Sequence, residues 1–343
     1  MRFLGNRRFV CAAALSLARI CCAAQLPADT STPAPAAIRV QSSLVLVDVM
    51  GLDAKTALPI RDFAKQDFRV FDNRREVPVT SFDAGVYFTT RPVILWLAVI
   101  CNEGGKIGGS REFVGKESLF RPAFDYLDKH DTVGVAHWCD NGDTQLDLLP
   151  TEDRDRPLLV LADTIKPISF HIGGNSNLVG QDTYRKMVRL ILRDAQQRNP
   201  QPLPVIVFLD GDHTGQPKYD LDLVVDDVLE TSGIVFGIMD QDVSAYLGSA
   251  AGAIAKISHY MAAQTGGQYF SVRPQDYATA LEMILVQLHF RYQLGFIPTE
   301  IDGKRHELKV ELTKEASQKH KGIQLRFRPE YIPVREIPEW AAR

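Results

Sequence analysis

The chain has 343 residues, 45% apolar and 24% charged, enough to bury the core of one large domain or two moderate ones. Its formal charge is −3 and its lysines and arginines are dispersed, so the sequence offers no basic patch for nucleic acid and no argument for an acidic partner surface.

The first residues have their own composition. Arg2, Arg7 and Arg8 make a basic start, and Phe9 to Ile20 is an Ala/Leu-rich apolar run interrupted by Arg19. Cys22-Ala23-Ala24 then sets small residues before Gln25. That order predicts a secretory signal over residues 1–24 and export to the periplasm or beyond. The run is too short for a bilayer span, which takes about 20 apolar residues. Cys21 and Cys22 raise a lipid-anchor reading, which Ala18-Arg19-Ile20 fits poorly. Cleavage after Ala24 removes four arginines and takes the formal charge from −3 to −7. It also leaves Cys101 and Cys139 from the five cysteines, and an even pair in an oxidising compartment invites a disulfide. No later stretch is long and apolar enough to span, so the mature chain is expected to be soluble.

Residues 25–37, with PADTSTPAPAA from Pro27 to Ala37, read as an extended tether. From Val40 to Phe82 the pattern is β: VQSSLVLVDVMGLD alternates and ends in a Gly/Asp turn, Ile60 to Phe63 suggests a helical turn, and Phe68 to Asn73 and Val77 to Phe82 suggest further strands. Three strands do not close a sandwich. Three more strand-like runs, Tyr292 to Ile297, Glu307 to Leu312 and Ile323 to Phe327, lie at the other end. Residues 38–90 and 289–334 are therefore expected to pair as one β-sandwich, with 91–288 as an insert whose own ends lie close together.

The insert alternates strand and helix. Val93 to Ile100 is a continuous apolar run, the pattern of a central parallel strand. An amphipathic helix is expected over Leu119 to Lys129, a strand over Thr132 to Cys139, and a hairpin partner at Gln145 to Leu149 across Asp140-Asn141-Gly142. Helices over Thr183–Gln197, Leu221–Thr231, Ala253–Thr265 and Tyr277–Phe290 alternate with strands over Val205–Leu209, Gly233–Met239 and Tyr269–Val272. The rhythm predicts an α/β fold, a doubly wound and mostly parallel sheet with right-handed crossovers. Ligands of such sheets bind at the carboxyl ends of the strands.

Several segments, in this order and spacing, resemble the von Willebrand factor type A-related family, the exported acidobacterial type with flanking β segments. They are Phe63 to Asp72 (FAKQDFRVFD), Asp131-Thr132-Val133-Gly134-Val135, Val205 to Asp212 (VIVFLDGD), Thr265-Gly266-Gly267-Gln268-Tyr269-Phe270, and Leu288 to Pro298 (LHFRYQLGFIP). The resemblance implies binding through a metal-ion-dependent adhesion site. That site takes an Asp-x-Ser-x-Ser turn after the first strand, a Thr from a second loop and an Asp after the fourth strand. A hard cation such as Mg²⁺ or Mn²⁺ held by about six oxygens leaves one position open for a partner carboxylate.

Here the first turn departs from the family. Its five positions read Val99-Ile100-Cys101-Asn102-Glu103, and a shift of one residue places Ala98, Ile100 and Asn102 there instead. Ser176 stands where the second loop's Thr would be, and Asp210, followed by Asp212, matches the remaining ligand. A rebuilt metal site would therefore draw on Glu103, Ser176, Asp210 and Asp212. The bland alternative makes Asp210 a loop cap and Glu103 a solvated rim residue.

Cys101 and Cys139 end two strands expected to be parallel neighbours. Such strands lie about 4.8 Å apart and a disulfide wants Cα atoms about 5.5 Å apart, so a Cys101–Cys139 bond is permitted, as are two buried thiols. The enzyme readings are weaker. Cys101 with His137 and Asp140 could be a thiol triad, but His137 sits inside a strand and no positive surroundings are evident. Asp210-Gly211-Asp212-His213 lacks a second His at metal spacing. Gly104-Gly105 and Gly108-Gly109 lack the Lys-Ser/Thr of a phosphate loop. The sequence thus favours a non-enzymatic, exported protein-binding or adhesion module with a degenerate metal site and no cofactor. The alternatives are metal-dependent adhesion through the rebuilt site, and a structural part in an envelope assembly.

Overall fold

The alternating stretch near the amino terminus folds as β1 (Val45–Asp53), with Val47 and Val49 turned into a core. The computed structural model describes residues 44–84, 92–101, 117–139, 144–164, 180–199, 201–209, 221–241, 256–334 and 340. The leader and the tether lie outside the described residues.

After β1 come β2 (Phe68–Asp72), β3 (Arg75–Val77) and β4 (Ser81–Asp83). The single strand expected over Val77 to Phe82 is two. Pro78 has no N–H for a ladder, so β3 stops at Val77 on β2 and β4 crosses to the other sheet. The helical turn expected at Ile60 to Phe63 does not form. A Leu52–Pro59 bridge and the Ile60 N–H on the Gly51 carbonyl, 2.8 Å away, hold that stretch against β1. A 3-10 turn forms later, at Lys65–Asp67.

The carboxyl-terminal strands are β11 (Tyr292–Phe296), β12 (His306–Leu312), β13 (Ile323–Arg326) and β14 (Glu330–Tyr331). They interleave with the amino-terminal ones in two antiparallel sheets, ordered β13-β1-β11-β4 and β14-β12-β2-β3. Val45 is opposite Phe296, and Phe68 opposite Leu312. Phe63, Phe68, Tyr292, Phe296 and Val310 fill the space between the sheets, with Phe63 edge-on to Phe68 at 5.4 Å and to Tyr292 at 5.6 Å. Such aromatic pairs add about 0.5–1.5 kcal/mol to area burial.

The central sheet takes β5 (Val93–Cys101), β6 (Thr132–Cys139), β7 (Thr144–Thr151), β8 (Leu203–Leu209), β9 (Ile234–Asp240) and β10 (Tyr269–Val272), in the order β10-β9-β8-β5-β6-β7. All neighbours are parallel except the edge strand β7 on β6. Every residue of β8 is buried, as a strand covered on both faces requires. Odd-numbered Leu95, Leu97, Val205 and Val207 share one core with Phe120, Phe124 and α5 (Tyr277–His289). Even-numbered Ile94, Trp96, Ile206 and Phe208 share the opposite one with α2 (Gly180–Gln196), α3 (Leu221–Glu230) and Met261 of α4 (Lys256–Thr265). This is the period-2 alternation of a strand read on two faces.

One local departure has a simple cause. The helix expected over Leu119 to Lys129 is a 3-10 helix, Glu117–Tyr126, with Pro122 inside it. Proline cannot supply an i→i−4 bond. Short helices α1 (Arg156–Thr164) and α6 (Lys314–Lys319) add to the expected set. The Gly266-Gly267 pair has a clear reason. Gly266 has φ +84°, and a Cβ on Gly267 would stand 1.8 Å from the Val235 carbonyl oxygen. There α4 turns into β10, and Thr265 Oγ1 accepts the Val235 N–H at 2.9 Å.

The amino-terminal edge of the sheet is closed by hydrogen bonds. Asp131 Oδ1 accepts the Val93 N–H at 2.7 Å and Oδ2 the Asp128 N–H at 2.9 Å. Burial nevertheless pushes the Asp131 carboxyl above its usual range. Arg154 donates to the Asp131 and Asp128 carbonyls. Arg291 donates to Asp48 Oδ1 at 2.9 Å and to the Leu288 carbonyl at 2.6 Å, joining β1 to the end of α5. Arg305, at the start of β12, reaches Asp226 on α3 at 2.6 Å and Glu330 at 3.1 Å.

Candidate functional site

The opposite edge of the sheet is the natural place for a site. Strands β5, β6, β8 and β9 run parallel and end at Cys101, Cys139, Leu209 and Asp240. Residues 102–116, 140–143, 210–220 and 242–255 therefore leave the sheet from one edge. The strand order reverses between β5 and β8, which is the switch point where doubly wound sheets open a crevice.

Glu103, Ser176, Asp210 and Asp212 lie outside the described residues. Glu103 follows β5 by two positions, Asp210 directly follows β8, and Ser176 precedes α2 by four. Among the described residues no cluster of three or more His, Cys, Asp or Glu side chains could hold a metal ion. The strand positions that the sequence resemblance aligns with a leading carboxylate are described. Val99 is 4% exposed, belongs to one core, and pairs with Leu209 of β8 and His137 of β6. Ala98, its counterpart after a one-residue shift, is fully buried in the opposite core. In either register an apolar, packed side chain stands where the leading ligand would be.

Cys101 and Cys139 are register partners, the last pair of the β5–β6 ladder. His137, two residues before Cys139, is held by Asp147 of β7. Its Nδ1 lies 2.8 Å and 2.9 Å from the two carboxylate oxygens, and the side chains are 11% and 13% exposed. The sequence reading placed His137 inside a strand as a packed or surface residue, and the side chain is buried there. It missed Asp147, because the β6–β7 register shifts between Val133 and Ala136 and simple alternation does not align the two.

Trp340 docks on α2 and α3. Its indole Nε1 donates to Glu230 Oε2 at 3.0 Å, its carbonyl accepts from Arg193 Nε at 3.1 Å, and the Arg189 guanidinium lies 4.9 Å from the ring centroid. Burial raises the Glu230 carboxyl above its usual range, against the pull of that indole bond. On the same helices Asp227, almost wholly buried, takes paired bonds from Arg185 and Arg189 at 2.6–2.9 Å. A lone Trp among charges near a chain end carries no sequence signal for this docking.

No protein-family model matches the sequence, and no curated protein matches it. Among solved structures the chain is similar to a von Willebrand factor type A protein from Catenulispora acidiphila, at 11% identity and TM-score 0.38, over 87% of this chain and 77% of that one. It is also similar to the conserved hypothetical protein BatB from Bacteroides thetaiotaomicron, at 14% identity and TM-score 0.37, over 57% of this chain and 98% of that one. A third is an aerotolerance-related membrane protein from Bacteroides fragilis, at 14% identity and TM-score 0.38, over 56% and 98%. Among the described residues no helix is long and apolar enough to cross a membrane. The doubly wound order, the antiparallel edge strand and the helices on both faces make the α/β, mostly parallel sheet that the sequence predicted.

Proposed function

We propose that this chain is an exported, non-enzymatic binding protein that engages a protein or envelope-surface partner through the loops at the carboxyl edge of its central sheet. The family's metal site is degenerate in this reading. The observation that carries it is the burial of Val99 and Ala98 near the carboxyl end of β5, which gives a cation no carboxylate at its leading position. Export rests on the basic-apolar-small order of residues 1–24. The non-enzymatic reading draws support from the burial of the His137–Asp147 pair, whose side chains are 11% and 13% exposed.

Titration calorimetry of Mg²⁺ and Mn²⁺ into chelator-stripped protein, beside an Asp210→Ala variant, tests the reading. No heat at millimolar metal is expected. Binding that Asp210→Ala abolishes would replace it with metal-dependent adhesion through Glu103, Ser176, Asp210 and Asp212. Alanine substitutions across residues 104–111, 172–181 and 212–218 should weaken partner capture. Unchanged capture would move the interaction to the sandwich and make the chain a structural part of an envelope assembly.

A further inference from the structure

We propose that Arg326 is a receptor for a carboxylate in the joint between the sandwich and the insert, presenting the Nε/Nη2 edge of its guanidinium. The site stands apart from the loops at the carboxyl edge and does not rest on the binding proposed for them.

Arg326 is the last residue of β13, opposite Met50 of β1, and its half-buried side chain reaches from the sandwich to the insert. Nη1 donates to Oε1 of Gln268, just before β10, and at 3.1 Å to Oε1 of Gln287 on α5. Gln287 Nε2 donates in turn to Gln268 Oε1 at 3.3 Å. Both hydrogens of Nη1 are thereby spent on neutral amide oxygens, which fixes the plane of the guanidinium.

The remaining edge is the one that suits a carboxylate best, because the Nε and Nη2 hydrogens run parallel and match its two oxygens. Arg69, Arg185, Arg189 and Arg198 all use that edge, on Glu76, Asp227, Asp227 and Asp194, at 2.6–3.1 Å. Arg326 does not. Among the described residues no carboxylate pairs with it, and its Nε and Nη2 meet no acceptor. Neither nitrogen is sealed from solvent. Nor is Gln268 Nε2, whose amide has given its oxygen to Arg326 and Gln287.

The joint therefore holds a preset cation with neutral neighbours and donors to spare. Burial pulls the guanidinium below its usual range, and no nearby charge opposes that pull. A carboxylate on the open edge supplies the missing counter-charge. One positive charge beside neutral amides suits a singly charged planar ligand better than a dianionic phosphate. Two sources carry that chemistry, a small free acid and the Asp or Glu side chain of a partner.

The test follows the Arg326 Nε–H resonance in the full chain made with isotope-labelled arginine, identified by its loss in Arg326→Lys. Sodium acetate replaces sodium chloride at constant ionic strength. The expected result is a saturable shift with a dissociation constant in the millimolar range. Gln268→Glu sets a carboxylate on the guanidinium from within the fold. It should raise the melting temperature by about 2 °C and erase the acetate response, although the arginine remains. No saturable shift in the wild type would overturn the proposal, as would a shift unchanged in Gln268→Glu or phosphate binding tighter than acetate. Arg326→Lys, which keeps the charge and loses the edge, gives a second readout. Acetate should raise the melting temperature of the wild type and not of this variant, and an equal rise in both would overturn the proposal. A capped tripeptide with one glutamate separates the sources. Binding about tenfold tighter than acetate supports a partner's side chain, and binding no tighter supports a small free acid.

Discussion

The two edges of the central sheet are finished in opposite ways. At the amino-terminal edge buried polar groups are met by fixed partners: Asp131 by two backbone N–H groups, the Asp131 and Asp128 carbonyls by Arg154, and Asp48 by Arg291. At the carboxyl edge, the β5–β8 ladder ends on Val99 and Leu209, paired with each other and packed in the core. The first edge specifies one geometry, because a buried charge or N–H without its partner is costly. The second sets where the chain leaves the sheet.

The largest effect should come from the deepest ion pair of the closed edge. Arg291 and Asp48 side chains are 2% and 6% exposed, so Arg291→Met should strand a buried carboxylate and cost about 3–5 kcal/mol by denaturant unfolding. Adding Asp48→Leu should recover most of that loss. Equal losses in the single and double variants would mean that packing, not charge pairing, fixes this edge. Asp131→Ala comes next, with about 2–3 kcal/mol expected from two unpaired buried N–H groups.

Asp72 extends the comparison to the sandwich. Burial pushes its carboxyl up, but bonds from the Thr299 hydroxyl and N–H, His306 and Tyr331 outweigh this and hold it below its usual value. A depressed carboxylate stabilises the fold fully above its unfolded value near 3.8, and that part is lost as pH falls through the lower folded value. Asp72→Asn should flatten acid unfolding in that window and cost roughly 1–3 kcal/mol at neutral pH. A parallel acid limb in the variant would show that other groups set it. The smallest effect belongs to Arg305, whose partners Asp222, Asp226 and Glu330 are partly exposed. Arg305→Gln should cost about 1 kcal/mol at low salt and less at high salt. A salt-independent loss would point to packing of its stem.

Most of the fold was legible because its signals are local. The unbroken apolar run at Val93–Ile100 and the alternation after Val40 each constrain a few consecutive residues. What was missed depends on proline or on distant partners. Pro78 splits a strand and Pro122 tightens a helix. Asp147 beside His137, and Trp340 on α2 and α3, bring together residues whose only sequence trace is being polar or aromatic. At the candidate site, the loss of the leading carboxylate was readable as Val99 in place of Asp. That Val99 and Ala98 both face packed cores needed the sheet.

The pairing of β1 with β11 has a consequence for how the protein is made. Val45 meets Phe296 across some 250 residues, and the insert's flanking strands β4 and β11 are themselves neighbours. Contacts so far apart in the chain raise contact order and slow folding. During synthesis β1 to β4 emerge early and wait, while the insert, built from nearer contacts, can assemble first. The sandwich is therefore the last part to close. A chain interrupted before Tyr292 would carry a folded insert with unpaired strand edges at its root, an aggregation hazard until synthesis is complete.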